Sequence, residues 1–189
     1  MIDFTLYTAN CCGDSSNCVY PNKAHITDSA SFVAAIKLDH VCAAYKNNYR
    51  SNDNFLKTDV LPMDCDNDHS DDPKDWIYPL DVVMAFPEVS LLVSYSRNNM
   101  KVKNGKAARP KFHVYFPIPT MTDGKAYAEL KKRIQEFFPY FDADALGEAR
   151  FLYGTDSPDV EVYDGAINVA DFIEHDEFED FDASTEEIS

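Results

Sequence analysis

Leu61-Pro62-Met63-Asp64-Cys65-Asp66-Asn67-Asp68-His69 carries an apolar strand into a run of carboxylates. Residues Leu56 to Cys65 read as that strand, with Val60, Leu61 and Met63 in extended chemistry. Side chains alternate faces along a strand, so Asp64 and Asp66 share one face while Met63 and Cys65 take the other. Two carboxylates held this close on a rigid support repel strongly. A hard divalent cation relieves the repulsion, and an oxygen-only ligand set favours Mg²⁺ or Mn²⁺. Two other readings compete. An acidic cluster after a strand is often a solvated turn. A calcium loop counted from Asp64 puts Asp66, Asp68 and Asp75 on ligand positions, but His69 stands where that loop needs glycine and Asp75 where it needs glutamate.

Downstream, Ser96-Arg97-Asn98-Asn99-Met100-Lys101-Val102-Lys103 leads towards Ala108-Arg109-Pro110-Lys111-Phe112-His113. From Arg97 to Thr122 there are six basic residues and no acidic one, a local charge of +6. Val89 to Tyr95 and Phe112 to Ile118 read as two strands of a hairpin, with the basic strip as its long loop. Lys111 and His113 then share a face, opposite Phe112 and Val114. A cationic pair on an otherwise apolar strand must be paired, solvated or bound to an anion. A strand histidine is as readily structural. Arg97, Lys101 and Lys103 nearby favour an anion site, and a triphosphate is the natural ligand for lysine and arginine together. Acidic pair and basic set combined suggest metal-dependent phosphoryl chemistry on nucleotides.

A third carboxylate comes from Pro139-Tyr140-Phe141-Asp142-Ala143-Asp144-Ala145. Either Asp142 or Asp144 can close a metal site, and spacing does not separate them; either can equally cap a helix over Ala145 to Ala149. Elsewhere, a helix is expected from Thr27-Asp28-Ser29 to Asn47-Asn48, with Phe32, Ile36, Val41 and Tyr45 on one face. Further expectations are a short helix from Leu80 to Phe86, an amphipathic helix capped by Asp123 and a last strand from Asp159 to Tyr163. Mixed elements without strict alternation predict an α+β domain with a mainly antiparallel sheet and helices packed on it.

The chain has 189 residues, with 17 basic against 33 acidic residues and a net charge of −16. Hydrophobic residues make up 45 %, enough for a packed core. Nine acidic residues and no Lys or Arg lie between Asp171 and Ser189, so residues 171–189 read as an acidic, disordered tail after a domain over residues 1–170. With no apolar run of membrane-spanning length and no signal-peptide pattern, a cytoplasmic protein without a membrane partner is expected. Cys11, Cys12, Cys18, Cys42 and Cys65 are an odd set, against a secreted disulfide framework. Cys11, Cys12, Cys18 and His25 can be drawn as a zinc site, but adjacent cysteines lack the usual spacing, and reduced loop thiols are the plainer reading.

Met63-Asp64-Cys65-Asp66, then Lys111-Phe112-His113, then Phe141-Asp142 with Ala149-Arg150-Phe151-Leu152-Tyr153-Gly154 downstream follow one another in order. Taken together they resemble the motifs of the archaeo-eukaryotic primase superfamily, especially the primase-polymerase (prim-pol) domains of plasmid, phage and mobile-element replication proteins. The resemblance spans roughly Ile36 to Gly165; Lys111 stands where the family carries a small residue. It implies a catalytic sheet of the RNA-recognition-motif type with packed helices, joined to a small N-terminal α/β unit. It implies that Asp64, Asp66 and Asp142 hold two divalent ions, Mg²⁺ or Mn²⁺, and that His113 contacts the nucleotide's phosphates. The implied activity is template-dependent nucleotidyl transfer to a 3′-hydroxyl, that of a DNA primase or DNA polymerase. Its partners would be nucleoside triphosphates, a single-stranded or primed DNA template and a helicase domain or protein. Arg97, Lys101, Lys103 and Lys111 would neutralise triphosphate or template backbone. Arg50 and Arg150 are lesser candidates for the same contacts. Two other functions compete: an inactive nucleotide or nucleic-acid binding module of a replication protein, and an acidic DNA mimic, against which the basic strip argues.

Overall fold

The computed structural model describes residues 1–176. In chain order its strands and helices are β1 (Phe4–Thr8), β2 (Asn22–Ile26), α1 (Ser29–Ala35), β3 (His40–Val41), β4 (Ala43–Tyr45), β5 (Phe55–Cys65), α2 (Pro79–Ala85), β6 (Leu91–Tyr95), β7 (Phe112–Met121), α3 (Gly124–Phe137), β8 (Phe151–Leu152) and β9 (Val160–Tyr163). Residues 169–176 form a further helical segment. Two sheets result, ordered β2-β1-β3-β8 and β4-β5-β7-β6-β9, and every strand pairing in both is antiparallel. This is the α+β architecture expected from the sequence.

The period-2 pattern of β5, β6 and β7 divides the larger sheet into two working faces. Leu61, Met63 and Cys65, with Leu91, Val93, Phe112, Val114 and Phe116, are buried against Val82 and Phe86 near α2 and Tyr127, Leu130 and Ile134 of α3. The intervening residues Val60, Leu92 and Tyr115 face the other way and pack on Phe4, Leu6, Phe32 and Ile36 of the N-terminal unit. Beyond that second core, the same face turns polar: Asp64, Ser94 and His113 lie side by side across the strands. Pro62 lies beyond Thr58, where the pairing of β4 with β5 ends, so its missing N–H is tolerated.

Asp123 caps α3, accepting from the Lys125 and Ala126 amides at 2.9 and 3.2 Å. Asp28 caps α1 in a reciprocal pair with Ser31. The helix expected to run on to Asn47-Asn48 ends at Ala35, and Val41 and Tyr45 belong to strands instead. The reason is Asp39, a fully buried carboxylate that accepts from the amides of Gly13, Asp14 and Gly154 at 2.7–2.9 Å. That carboxylate fixes a turn where a helix would place a solvated side chain. No helix forms over Ala145 to Ala149 either; that stretch is a series of turns.

Val169 and Ile173 are buried in the main core, so the boundary expected after residue 170 falls inside the last helical segment. The remainder of the expected acidic tail, residues 177–189, lies outside the described residues. All five cysteines are free, with Cys42 and Cys65 buried and Cys11, Cys12 and Cys18 in the loop between β1 and β2. His25 pairs with Asp3 at 2.6 Å. No helix among the described residues is long and apolar enough to cross a membrane.

Candidate functional site

The polar end of the larger sheet opens into a cleft lined by Asp64, Asp66, Ser94, Ser96, Lys111, His113 and Tyr115. Its opposing wall is residues 150–153 and Thr155, brought there because β8 pairs with β3 and closes the smaller sheet. Arg97 and Lys103 of the basic strip complete the rim.

Asp64 and His113 are direct cross-strand partners, and His113 Nδ1 lies 2.9 Å from Asp64 Oδ1. A carboxylate only accepts, so Nδ1 carries the hydrogen and Nε2 is left for a ligand. The other oxygen of Asp64 accepts from Arg150 Nη2. Burial alone would raise the Asp64 carboxyl, but the His113 ring and the Arg150 guanidinium outweigh it and hold the group well below the ordinary carboxylate range. Asp66 goes the opposite way: burial raises its pKa, and the neighbouring Asp64 charge adds to that against Lys111. Among the described residues Asp66 has no ion-pair partner within 4 Å.

Beneath the cleft, Tyr115 donates its hydroxyl to His40 Nε2 at 2.7 Å, because His40 Nδ1–H is committed to the Leu38 carbonyl at 2.8 Å. On the wall, Arg97 stacks over Tyr153 at 3.8 Å, Tyr153 and Phe151 meet in a T-shaped pair, and Arg50 lies over the Phe151 ring at 4.7 Å. Three donors from outside hold the turns leading into this wall. Buried Lys131 donates to the Ala145 carbonyl at 3.0 Å, Tyr45 to Glu148 at 2.6 Å and Arg50 to Ala149 at 3.0 Å.

Of the residues singled out in the sequence, Asp64, Asp66, Lys111, His113, Arg97 and Lys103 meet in this cleft. Asp142 is adjacent: its amide donates to the Asp64 carbonyl at 2.8 Å, while its carboxylate caps its own turn by accepting from the Asp144 amide at 2.9 Å. Asp144 is exposed. Neither side chain lines the cleft, and among the described residues no group of three or more His, Cys, Asp or Glu is gathered closely enough to hold a metal. Lys101 is exposed on the hairpin loop, away from the cleft lining. The basic strip is partly self-consuming. Arg109 is buried on the carbonyls of Asn67 and Ser70 and on Asp71, and Lys106 pairs with Asp68 at 3.3 Å. Its tip is an Asn104-Gly105 turn with both residues at positive φ, bridged by Lys103 and Lys106. Among the cleft residues that sequence reasoning passed over are Ser94, Ser96, Tyr115, Tyr153 and Thr155. Ser94 and Ser96 carried a signal, the same alternation that places Asp64 and Asp66.

Among solved structures, the chain is similar to the AEP domain of the cyanophage S-2L primase-polymerase, with a TM-score of 0.50 and 13 % identity over 90 % of this chain and 88 % of that one. The chain has an archaeo-eukaryotic primase-like fold. At such low identity the likeness speaks to fold alone, and the mainly antiparallel sheet with packed helices and an N-terminal unit agrees with it. No protein-family model matches the chain, and no curated protein sequence does.

The acidic pair fits a divalent cation in part. Asp64 and Asp66 present carboxylates to one cleft. Asp66 is half-buried with no ion pair within 4 Å among the described residues, and the nearby Lys111 charge offsets its burial only in part, which is the chemistry such an ion relieves.

Proposed function

We propose that this protein is a nucleotidyltransferase of the primase-polymerase type, acting on nucleoside triphosphates along a DNA template. One observation carries the reading: the Asp64–His113 pair opens onto the same cleft as Asp66 and four cations, Arg97, Lys103, Lys111 and Arg150. Acidic floor and basic rim match the two ends of a metal-bound triphosphate. Asp64 and Asp66 would hold Mg²⁺ or Mn²⁺, which when bound activates a 3′-hydroxyl and steadies the leaving pyrophosphate; Asp142 joins them only if its carboxylate leaves the Asp144 amide. In its doubly protonated form His113 donates Nε2–H to a phosphate oxygen while Nδ1–H stays on Asp64, which fixes the ring. Lys111, Lys103 and Arg97 neutralise the polyphosphate where its charge builds up. Lys101, on the exposed hairpin, is placed for template backbone rather than for the nucleotide. Tyr115, its hydroxyl turned to His40, closes the floor of the cleft.

The test is extension of a labelled primer on a single-stranded template with Mg²⁺ or Mn²⁺, beside the Asp64→Ala and Asp66→Ala variants. Extension is expected with the unsubstituted protein and should drop by about 10³-fold or more in either variant, since each removes several kcal/mol of transition-state stabilisation. Equal activity in the variants overturns the assignment. A second reading has one observation in its favour: both oxygens of Asp64 are already engaged, by His113 and Arg150. On that reading the cleft binds nucleotide without transfer, and a folded protein that binds triphosphate but extends nothing selects it.

A further inference from the structure

We infer that Arg150 is the resident counter-ion of Asp64, that a divalent cation must displace it, and that its release onto nucleotide phosphates makes cation and nucleotide bind cooperatively. The inference rests on the nucleotide-site reading above and specifies how that site loads.

Both oxygens of Asp64 are taken, Oδ1 by His113 and Oδ2 by Arg150. The Asp64 side chain is 3 % exposed, and a carboxylate buried without its cations is costly. Arg150 therefore satisfies a need that exists while no other cation sits at Asp64. Asp66 next to it has no such guard among the described residues. Among the described residues Asp64 is the one hydrogen-bond acceptor of the guanidinium, and its buried Nε has none, so a single contact ties it to the cleft floor. Its side chain is 35 % exposed, on the cleft wall that faces Lys111, Lys103 and Arg97. The adjoining main chain is fixed, because Phe151 and Leu152 are paired with β3. Rotation of the side chain alone is enough to free Asp64.

Charge sets the order of events. A divalent ion entering beside Asp64 meets the guanidinium at close range, and like charges in a partly buried site repel. With no anion present, ion and guanidinium compete for one carboxylate, so the ion alone binds weakly. A polyphosphate offers the guanidinium acceptors in the planar, two-toothed geometry it prefers. Arg150 then passes from Asp64 to phosphate as the ion takes its place. By linkage, nucleotide must tighten the ion by the factor by which the ion tightens nucleotide, a factor of about 5–150 for couplings of this kind.

Two measurements test this. Mn²⁺ binding without nucleotide, read from the paramagnetic resonance of the free ion, should tighten at least about five-fold in Arg150→Gln, whereas Asp66→Asn should weaken it. In the unsubstituted protein carrying ¹⁵N-arginine, the Arg150 Nε–H resonance should hold its position with Mg²⁺ alone. It should move when Mg²⁺ and a non-hydrolysable nucleoside triphosphate are added together. The second measurement needs no variant, so it decides the matter even if Arg150→Gln does not fold. Unchanged Mn²⁺ affinity in Arg150→Gln with the Asp66→Asn loss intact overturns the exchange and leaves the nucleotide site standing. So does a resonance that stays still while nucleotide binds. Absence of Mn²⁺ and nucleotide binding from every form of the protein overturns the site itself, and the exchange with it.

Discussion

His40 sits fully buried beneath the cleft, between the Leu38 carbonyl and the Tyr115 hydroxyl. Burial pushes its pKa down to about 4, with the nearby His113 adding to the shift, against the Leu38 hydrogen bond and Asp39. Unfolded, the ring titrates near its ordinary value of about 6.5. Between those two values the unfolded chain binds a proton that the folded one refuses. Stability from this group is therefore complete above pH 6.5 and is lost as pH falls towards 4, at up to about 1.4 kcal/mol per pH unit. Urea midpoints measured from pH 7 to pH 4.5 should fall in the unsubstituted protein. His40→Gln should start lower, for loss of the Tyr115 partner, and fall less steeply over that window. Parallel slopes would show that the ring is charged in the folded protein.

At the scale of elements, the decisive segment is the wall over residues 150–155. Gly154 is where it can come close: its amide reaches Asp39 at 2.7 Å, and a Cβ there would lie 2.5 Å from the Lys37 carbonyl oxygen. Gly154→Ala must push the segment outward, at roughly 1–3 kcal/mol. It should weaken nucleotide binding in proportion, measured by a urea midpoint and a nucleotide titration on the same preparation. Gly147→Ala, which meets open space, is the control and should stay within about 0.5 kcal/mol. This segment also marks how far the sequence could be read. Asp64, Asp66, Lys111 and His113 were legible because strand alternation is local: each face can be assigned from two or three neighbours. Asp123 was legible as a cap for the same reason. Arg150 was visible as a residue but not as the partner of Asp64, since that contact bridges 86 positions of sequence. The overlong first helix failed because Phe32, Ile36, Val41 and Tyr45 satisfy a helical spacing loosely, and the burial of Asp39, which breaks it, is a tertiary fact. Strands β1, β2 and β8 are short or partly exposed and carry too little alternation to declare themselves.

For the molecule as a whole, the two sheets are not separable bodies. The inner face of the N-terminal unit is covered by Val60, Leu92 and Tyr115 from the larger sheet, and its edge is closed by β8. Residues 1–50 expressed alone should therefore lack a fixed structure, with amide resonances collapsed into the random-coil range, although they carry β1 to β4 and α1. Dispersed resonances would mean that the unit folds by itself. The same topology acts in time. Val41 pairs with Phe151, 110 residues further on, and a ribosome adding about 5–20 residues per second takes roughly 5–20 s to cover that distance. Through that interval the emerging N-terminal strands have an open edge and an uncovered apolar face. A nascent chain of this protein is thus exposed to mispairing until Phe151 and Leu152 are made, and slow-codon stretches before residue 150 would lengthen the time it needs a chaperone.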